Sequence, residues 1–298
     1  MRVIRAKILG FCMGVRRAVE TAWRESTHTD APPPACRRVY TLGPLIHNPA
    51  VLKALEGRGV RTLKEGELAP ENSTVIIRAH GISPAVEAEL ARQGLRVLDA
   101  TCPHVKLSQT KARSFAERGY RIFLAGEEDH AEIEGIRGYI EAACVSQLRA
   151  IAVSTPKEAG KAALELFREE PGAKTVLIGQ TTFSSEEFRI VGAAIKEFFP
   201  DLEIVDTICG ATADRQEALR ELCGQVDALI IAGGRESANT RRLLSLAREL
   251  GKPAWLVETP EDLPPEIFTY ESVGLSAGAS TPDSIIAGIE DALNACKP

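Results

Sequence analysis

A set of segments that recurs about every 100 residues constrains this chain more than any other feature. One recurring piece is an apolar run ending in small and polar residues: 75-VIIRAHGIS-83, 175-TVLIGQTTFS-184 and 273-VGLSAGAST-281. A second is 39-VYTLGPLIHN-48, 120-YRIFLAGEEDH-130 and 228-ALIIAGGRESAN-239. A third, rich in turn residues, is 62-TLKEGELAP-70, 153-VSTPKEAGK-161 and 257-VETPEDLPP-265. The pieces keep the same order each time. Strand-like and helix-like segments alternate between them, which predicts an α/β fold with parallel sheets. The period is well above that of solenoid repeats. The expected architecture is three similar α/β units around a pseudo-threefold axis: residues 12–101, 102–208 and 209–298, with residues 1–11 packing with the third.

A fourth recurring piece carries chemistry. Cys12 follows 3-VIRAKILGF-11, Cys102 follows 95-LRVLDAT-101 and Cys209 follows 202-LEIVDTI-208. Each is followed by a helical pattern; Val15, Ala18, Val19 and Ala22 show the i, i+3, i+4, i+7 spacing. Each cysteine is thus expected where a strand hands over to a helix, the end of an open α/β sheet at which ligands bind. A helix N-terminus also favours a thiolate. One such cysteine is as often a packed small hydrophobe, but three at one place in three repeats point to a shared metal centre at the middle of the fold. Three thiolates suit zinc completed by a histidine or water, or a cubane 4Fe-4S cluster with one iron lacking a protein ligand. The spacings of 90 and 107 residues exclude a zinc knuckle or a ferredoxin-type run, and leave zinc and iron open. Cys36, Cys144, Cys223 and Cys296 read as buried free thiols. Seven cysteines without a Cys-x-x-Cys pair do not suggest a disulfide framework.

Polar residues cluster in the same loops. His47, His80 and His130 end apolar runs, and with Thr181, Ser237, Asn239 and Ser280 they supply hydrogen-bond donors on the cysteine side of the sheets. Such donors at helix N-termini suit a phosphate. His28 reads as exposed, and His104 could face either way. A carboxyl near a metal centre can act as a general acid, and both Glu132 and Glu134 in 129-DHAEIEG-135 qualify.

Net charge excludes one large class. The 298 residues carry a formal charge of −5, with no basic stripe to hold nucleic acid. Apolar runs such as 226-VDALIIAG-233 are strand-length and far short of a membrane span. The N-terminus lacks the apolar core of a signal peptide, so a cytoplasmic protein is expected. No Gly-rich nucleotide fingerprint follows a strand, so electrons for any redox chemistry would come from a partner.

Taken together, 10-GFCMGV-15, 47-HN-48, 79-AHG-81, 99-DATCP-103, 130-HAEIEG-135, 180-QTT-182, Cys209 with 215-RQEA-218, 233-GGRESANTRRL-243 and 277-AGASTP-282 resemble the 4-hydroxy-3-methylbut-2-enyl diphosphate reductase (LytB) family. The matches run from end to end in family order. The resemblance implies one 4Fe-4S cluster on Cys12, Cys102 and Cys209, and reductive removal of an allylic hydroxyl to give isopentenyl and dimethylallyl diphosphate, the last step of the non-mevalonate isoprenoid pathway. It implies His47, His80, Ser237, Asn239 and Ser280 as diphosphate ligands, His130 as a pocket ligand that helps place a proton relay, and Glu132 as proton donor with Thr181 close to it. It also implies ferredoxin or flavodoxin as electron donor. One departure is Ala238, where the family loop often has a second serine; a neutral hydrogen bond of about 0.5–1.5 kcal/mol would be missing there. Competing readings are a hydro-lyase with a three-cysteine cluster, an iron–sulfur or zinc sensor, and a zinc hydrolase.

Overall fold

The computed structural model describes residues 1–26, 38–46, 48–64, 66–143 and 150–295. In chain order the strands and helices are β1 Arg2–Arg5, α1 Met13–Ser26, β2 Val39–Leu42, α2 Pro49–Glu56, β3 Val60–Leu63, β4 Thr74–Ile77, α3 Pro84–Arg92, β5 Arg96–Asp99, α4 Pro103–Glu117, β6 Arg121–Ala125, α5 Ala131–Ala143, β7 Ile151–Val153, α6 Pro156–Glu169, β8 Thr175–Gly179, α7 Ser185–Lys196, β9 Glu203–Val205, α8 Gly210–Cys223, β10 Ala228–Ala232, α9 Ala238–Glu249, β11 Ala254–Val257, β12 Ser272–Ala277 and α10 Asp283–Ala295. Several helices start at the residue type expected to satisfy a free backbone N–H: Ser83, Thr155, Ser184 and Ser237 each accept from an amide of the first turn. No helix among the described residues is long and apolar enough to cross a membrane.

By packing, the chain forms two compact units. The first contains Met1–Trp23, Pro44–Gly59 and Gly210–Pro298; the second contains Arg24–Gly43 and Val60–Cys209. The first unit has one parallel sheet in the order β1-β12-β10-β11. The continuous apolar run of β10 is buried on both faces, as a central parallel strand must be. Leu229 and Ile231 pack on Leu219 and Leu222 of α8 and Leu243 of α9. Ile230 and Leu275 pack on Ile286, Ile289 and Leu293 of α10 from the other side. Each such fully buried aliphatic side chain contributes about 1.5–3 kcal/mol.

The second unit has two parallel sheets, β3-β2-β4-β5 and β7-β6-β8-β9. Around the latter, Phe123 and Leu177 pack against α6 and α7, while Ile122, Leu124 and Ile178 pack against α4 and α5. All three sheets have the same order, so the described chain contains three similar parallel sheets with their helices. β1, β5 and β9 hold the same edge position, and the N-terminal β1 fills it in the first unit by pairing Arg2 to Arg5 with Ser272 to Leu275. These edges carry charges (Arg2, Arg5, Arg96, Asp99, Glu203) that discourage further strand addition. Each edge strand leads into one of the three repeated cysteines.

Candidate functional site

Helices α1, α4 and α8 begin at Met13, Pro103 and Gly210, the residues directly after Cys12, Cys102 and Cys209. All three cysteines are half-buried. Their amides are anchored alike: Cys12 donates to Ala279 at 3.1 Å, Cys102 to Ala79 at 3.0 Å and Cys209 to Thr181 at 2.8 Å. The accepting carbonyls lie just past β12, β4 and β8, so each cysteine is tied to the loop bearing Ser280, His80 or Thr181. Two aspartates brace the approach. Asp99 Oδ1 accepts from Thr101 N at 2.9 Å and Asp206 Oδ1 from Ile208 N at 3.0 Å. The signal for these was present in the sequence as Asp three residues before cysteine in DATC and DTIC. The Cys102 side chain makes no capping bond to its helix, so capping does not occupy its sulfur.

In the second unit an acid is buried against Thr181, the residue that anchors Cys209. Glu132, in the first turn of α5, is 1% exposed. Its Oε1 accepts from Thr181 N at 2.7 Å and its Oε2 from Thr181 Oγ1 at 2.8 Å. Burial raises its pKa to about 7, against the opposing pull of the two Thr181 hydrogen bonds. Glu134, two positions along the helix, is exposed. His130 immediately precedes α5, and its Nδ1 accepts from Glu132 N at 3.1 Å. A neutral ring that accepts at Nδ1 carries its proton on Nε2. The His80 ring lies 5.3 Å from that of His130, nearly perpendicular at 86°. Gln180, a residue without a role in the sequence reading, locks the loop from below: its Oε1 accepts from Glu127 N at 3.0 Å and its Nε2 donates to Thr182 Oγ1 at 2.9 Å.

The first unit gathers a different set around the N-terminus of α9. Ser237 caps that helix, its Oγ accepting from Thr240 N at 3.4 Å. Its hydroxyl proton is therefore not used by the cap. Asn239 is buried, and among the described residues neither its Oδ1 nor its Nδ2 has a hydrogen-bond partner. A buried unsatisfied amide costs about 1–3 kcal/mol, so this arrangement is built for a polar guest. Thr240 sits directly behind, where a Cβ on Gly278 would come within 2.1 Å of its Oγ1. Ser280 is buried in the neighbouring loop, one residue beyond the carbonyl that anchors Cys12. Donors at a helix N-terminus form an anion site.

Other sequence-derived candidates divide as follows. His47, His28, Cys36, Cys144 and Cys296 lie outside the described residues; Asn48, next to His47, is buried and caps α2 by accepting from Val51 N at 3.2 Å. His104 is exposed. Cys223 is 5% exposed within the α8 core, and burial pushes its thiol pKa up. Among the described residues no three His, Cys, Asp or Glu side chains gather into a group that could hold a metal ion; Cys12 belongs to the first unit and Cys102 and Cys209 to the second. As donor chemistry, half-buried thiols at the starts of helices are the ligand type that zinc and 4Fe-4S clusters both take.

A family model described as LytB protein matches residues 3–294. The 4-hydroxy-3-methylbut-2-enyl diphosphate reductase of Treponema denticola is 42% identical over 300 residues, covering 98% of this chain and 99% of the relative. The enzyme of the same name from Aquifex aeolicus is 40% identical over 289 residues, covering 97% and 94%. Among solved structures, (E)-4-hydroxy-3-methyl-but-2-enyl diphosphate reductase, described as the terminal enzyme of the non-mevalonate pathway, superposes with a TM-score of 0.75 at 38% identity, covering 99% of this chain and 100% of that one. The E-1-hydroxy-2-methyl-but-2-enyl-4-diphosphate reductase of Plasmodium falciparum gives 0.84 at 26% identity, covering 97% and 87%. With nearly the whole chain matched in sequence and in fold, this protein belongs to the LytB family.

Proposed function

We propose that the protein reduces 4-hydroxy-3-methylbut-2-enyl diphosphate to isopentenyl and dimethylallyl diphosphate, the terminal step of the non-mevalonate isoprenoid pathway. Family membership supports the reaction, and one local observation carries it: a buried carboxyl that holds a proton near neutral pH is hydrogen-bonded to the residue that anchors Cys209. The reaction breaks the allylic C–O bond. Two electrons and two protons enter, one proton leaving with the hydroxyl as water and the other forming the new C–H bond. When bound through Cys12, Cys102 and Cys209, a 4Fe-4S cluster supplies the electrons and an open iron to act as Lewis acid.

The chain's own residues do the rest. Hydroxide is a poor leaving group, so an acid must protonate it. The Glu132 proton belongs on Oε2, because Oε1 accepts from a backbone N–H that cannot reverse. The Thr181 hydroxyl can turn to accept that proton's hydrogen bond and pass it on. His130 presents Nε2–H as a neutral donor. Asn239 and Ser237, with Ser280, His80 and His47, hold the diphosphate, and burial of the first three strengthens each charge-assisted bond. Electrons arrive from a separate redox protein of the ferredoxin or flavodoxin class, and a cytoplasmic, reducing setting keeps the thiols as ligands.

The test is anaerobic purification followed by iron, sulfide and zinc analysis and by turnover with a chemical reductant. Expected are about four iron and four sulfide per chain and reductant-dependent formation of both products. Cys12→Ser, Cys102→Ser and Cys209→Ser should each abolish turnover, whereas Cys223→Ser keeps the cluster. Stoichiometric zinc without sulfide, or product formation without added electrons, would sink the proposal.

A further inference from the structure

Arg215 is the least expected buried residue in the first unit. It lies on α8 and is 3% exposed. Its Nη1 donates to the carbonyl of Ala211 and its Nη2 to the carbonyl of Gly10, both at 2.6 Å. Burying a permanently charged guanidinium is costly, and a helix–loop contact needs no charge. The place it grips explains the choice. Gly10 has φ of +79°, a conformation that L side chains rarely adopt, and a Cβ there would meet Ile286 Cδ1 at 2.9 Å. The glycine is two residues before Cys12. Downstream, Cys12 is already fixed by its amide on Ala279 and by Arg16 N on its carbonyl at 2.9 Å. Arg215 restrains the upstream side by its hold on the Gly10 carbonyl. Its own helix starts at Gly210, the residue after Cys209, so one side chain links the loop of the first cysteine to the helix opened by the third.

We infer that Arg215 is the positioning residue for the Cys12 thiol, holding the Gly10 carbonyl so that Cys12 is presented as a cluster ligand. The inference rests on the cluster assignment proposed above. Arg and a carbonyl pair make this a rigid two-pronged hold; Lys would keep the charge with a single prong, and Met would keep the volume with neither.

The test compares full-length wild type, Arg215→Lys and Arg215→Met. In cluster-free protein, alkylation of each cysteine is followed by mass spectrometry. In reconstituted protein, iron and sulfide are measured. Arg215→Met should speed alkylation of Cys12 at least about tenfold, the least expected for losing a charge-assisted hydrogen bond, and leave Cys102 and Cys223 unchanged. The reconstituted variant should hold less iron and sulfide, and Arg215→Lys should recover the Cys12 protection only in part. Unchanged Cys12 alkylation in a folded variant overturns the inference. So does an equal rise at every cysteine, which marks general loosening. If Arg215→Met does not fold, Arg215→Lys carries the alkylation comparison alone. If wild type takes up no iron and sulfide, the cluster assignment fails, while the alkylation rates still decide whether Arg215 holds Cys12.

Discussion

The backbone amide of Cys209 donates to the carbonyl of Thr181 at 2.8 Å. Thr181 in turn gives both its amide and its hydroxyl to Glu132. Thr181 therefore uses three groups to join a candidate metal ligand to a buried acid. The two other cysteines are anchored on Ala79 and Ala279, which precede His80 and Ser280. One structural device recurs three times, and each time the loop it fixes supplies a different chemical group: imidazole, hydroxyl with carboxyl, and hydroxyl. The repeat thus conserves the frame and varies what the frame presents.

Replacing Glu132 with Gln keeps size and can keep both contacts to Thr181, since the amide accepts from Thr181 N and donates to Thr181 Oγ1. It removes the proton. Turnover should fall by about 10²–10⁴-fold, the range of a positioned general acid, with cluster content intact. Glu134→Gln, on an exposed side chain, should be near wild type. Steady-state kinetics of the two variants decide the matter, and the larger loss in Glu134→Gln would reverse the assignment.

Asn239 offers a test in which stability and function move in opposite directions. Its amide is buried without a partner among the described residues, so Asn239→Leu relieves an unsatisfied polar group. Ligand-free protein should keep or raise its Tm. The substrate KM should rise about 10- to 150-fold, the equivalent of a lost charged hydrogen bond of 1.5–3 kcal/mol. Ala238→Ser, restoring a hydroxyl at the start of the same helix, should lower KM or leave it unchanged. A Tm loss with unchanged KM in Asn239→Leu would mean the residue serves packing.

Much of this arrangement was legible in the sequence. Continuous apolar runs such as 228-ALIIA-232 predicted central strands, and the order of recurring pieces predicted three sheets of the same kind. The strand-to-helix position of each cysteine followed from apolar periodicity on either side. Glu132 and Glu134 could not be separated that way. Two positions apart on a helix are about 200° around its axis, so the two point nearly opposite ways, and which one turns inward depends on Thr181, 49 residues away. Arg215 was hidden for a related reason. In ATADRQEALRELC it sits among charged residues that mark an exposed face, and only the carbonyl of Gly10, 205 residues distant, draws it inside. Long-range polar contacts leave no local period to read.

Gly278 is predicted to be intolerant of even one carbon. A Cβ there would stand 2.1 Å from Thr240 Oγ1 and 3.1 Å from Thr240 Cβ. Gly278→Ala should destabilise the protein by about 1–3 kcal/mol, as overpacking does, and should weaken substrate binding because Thr240 follows Asn239. Thr240→Ala removes the nearer clashing atom. The double variant Gly278→Ala/Thr240→Ala should be more stable than the sum of the single losses predicts, a coupling that denaturant titration of all four proteins measures. Strict additivity would show that the two residues do not interact.

The raised pKa of Glu132 makes stability depend on pH in a direction opposite to most carboxylates. Burial lifts the group from its ordinary 4.5 to about 7. The folded protein therefore prefers the protonated form. Below pH 4.5 both folded and unfolded chains carry the proton, and this group adds no pH dependence. Between about 4.5 and 7 the unfolded chain releases its proton while the folded chain keeps it, so stability falls as pH rises. The loss is complete above about 7 and amounts to about 3 kcal/mol. Glu132→Gln has no proton to lose in either state. Relative to wild type, the variant should gain stability from pH 5 to about 7 and level off by pH 8, and at pH 8 it should melt at the higher temperature although it turns over more slowly. Calorimetry of both proteins across that range provides the check. A constant Tm difference from pH 5 to pH 8 would place the Glu132 pKa outside this window and remove it as the proton store at neutral pH.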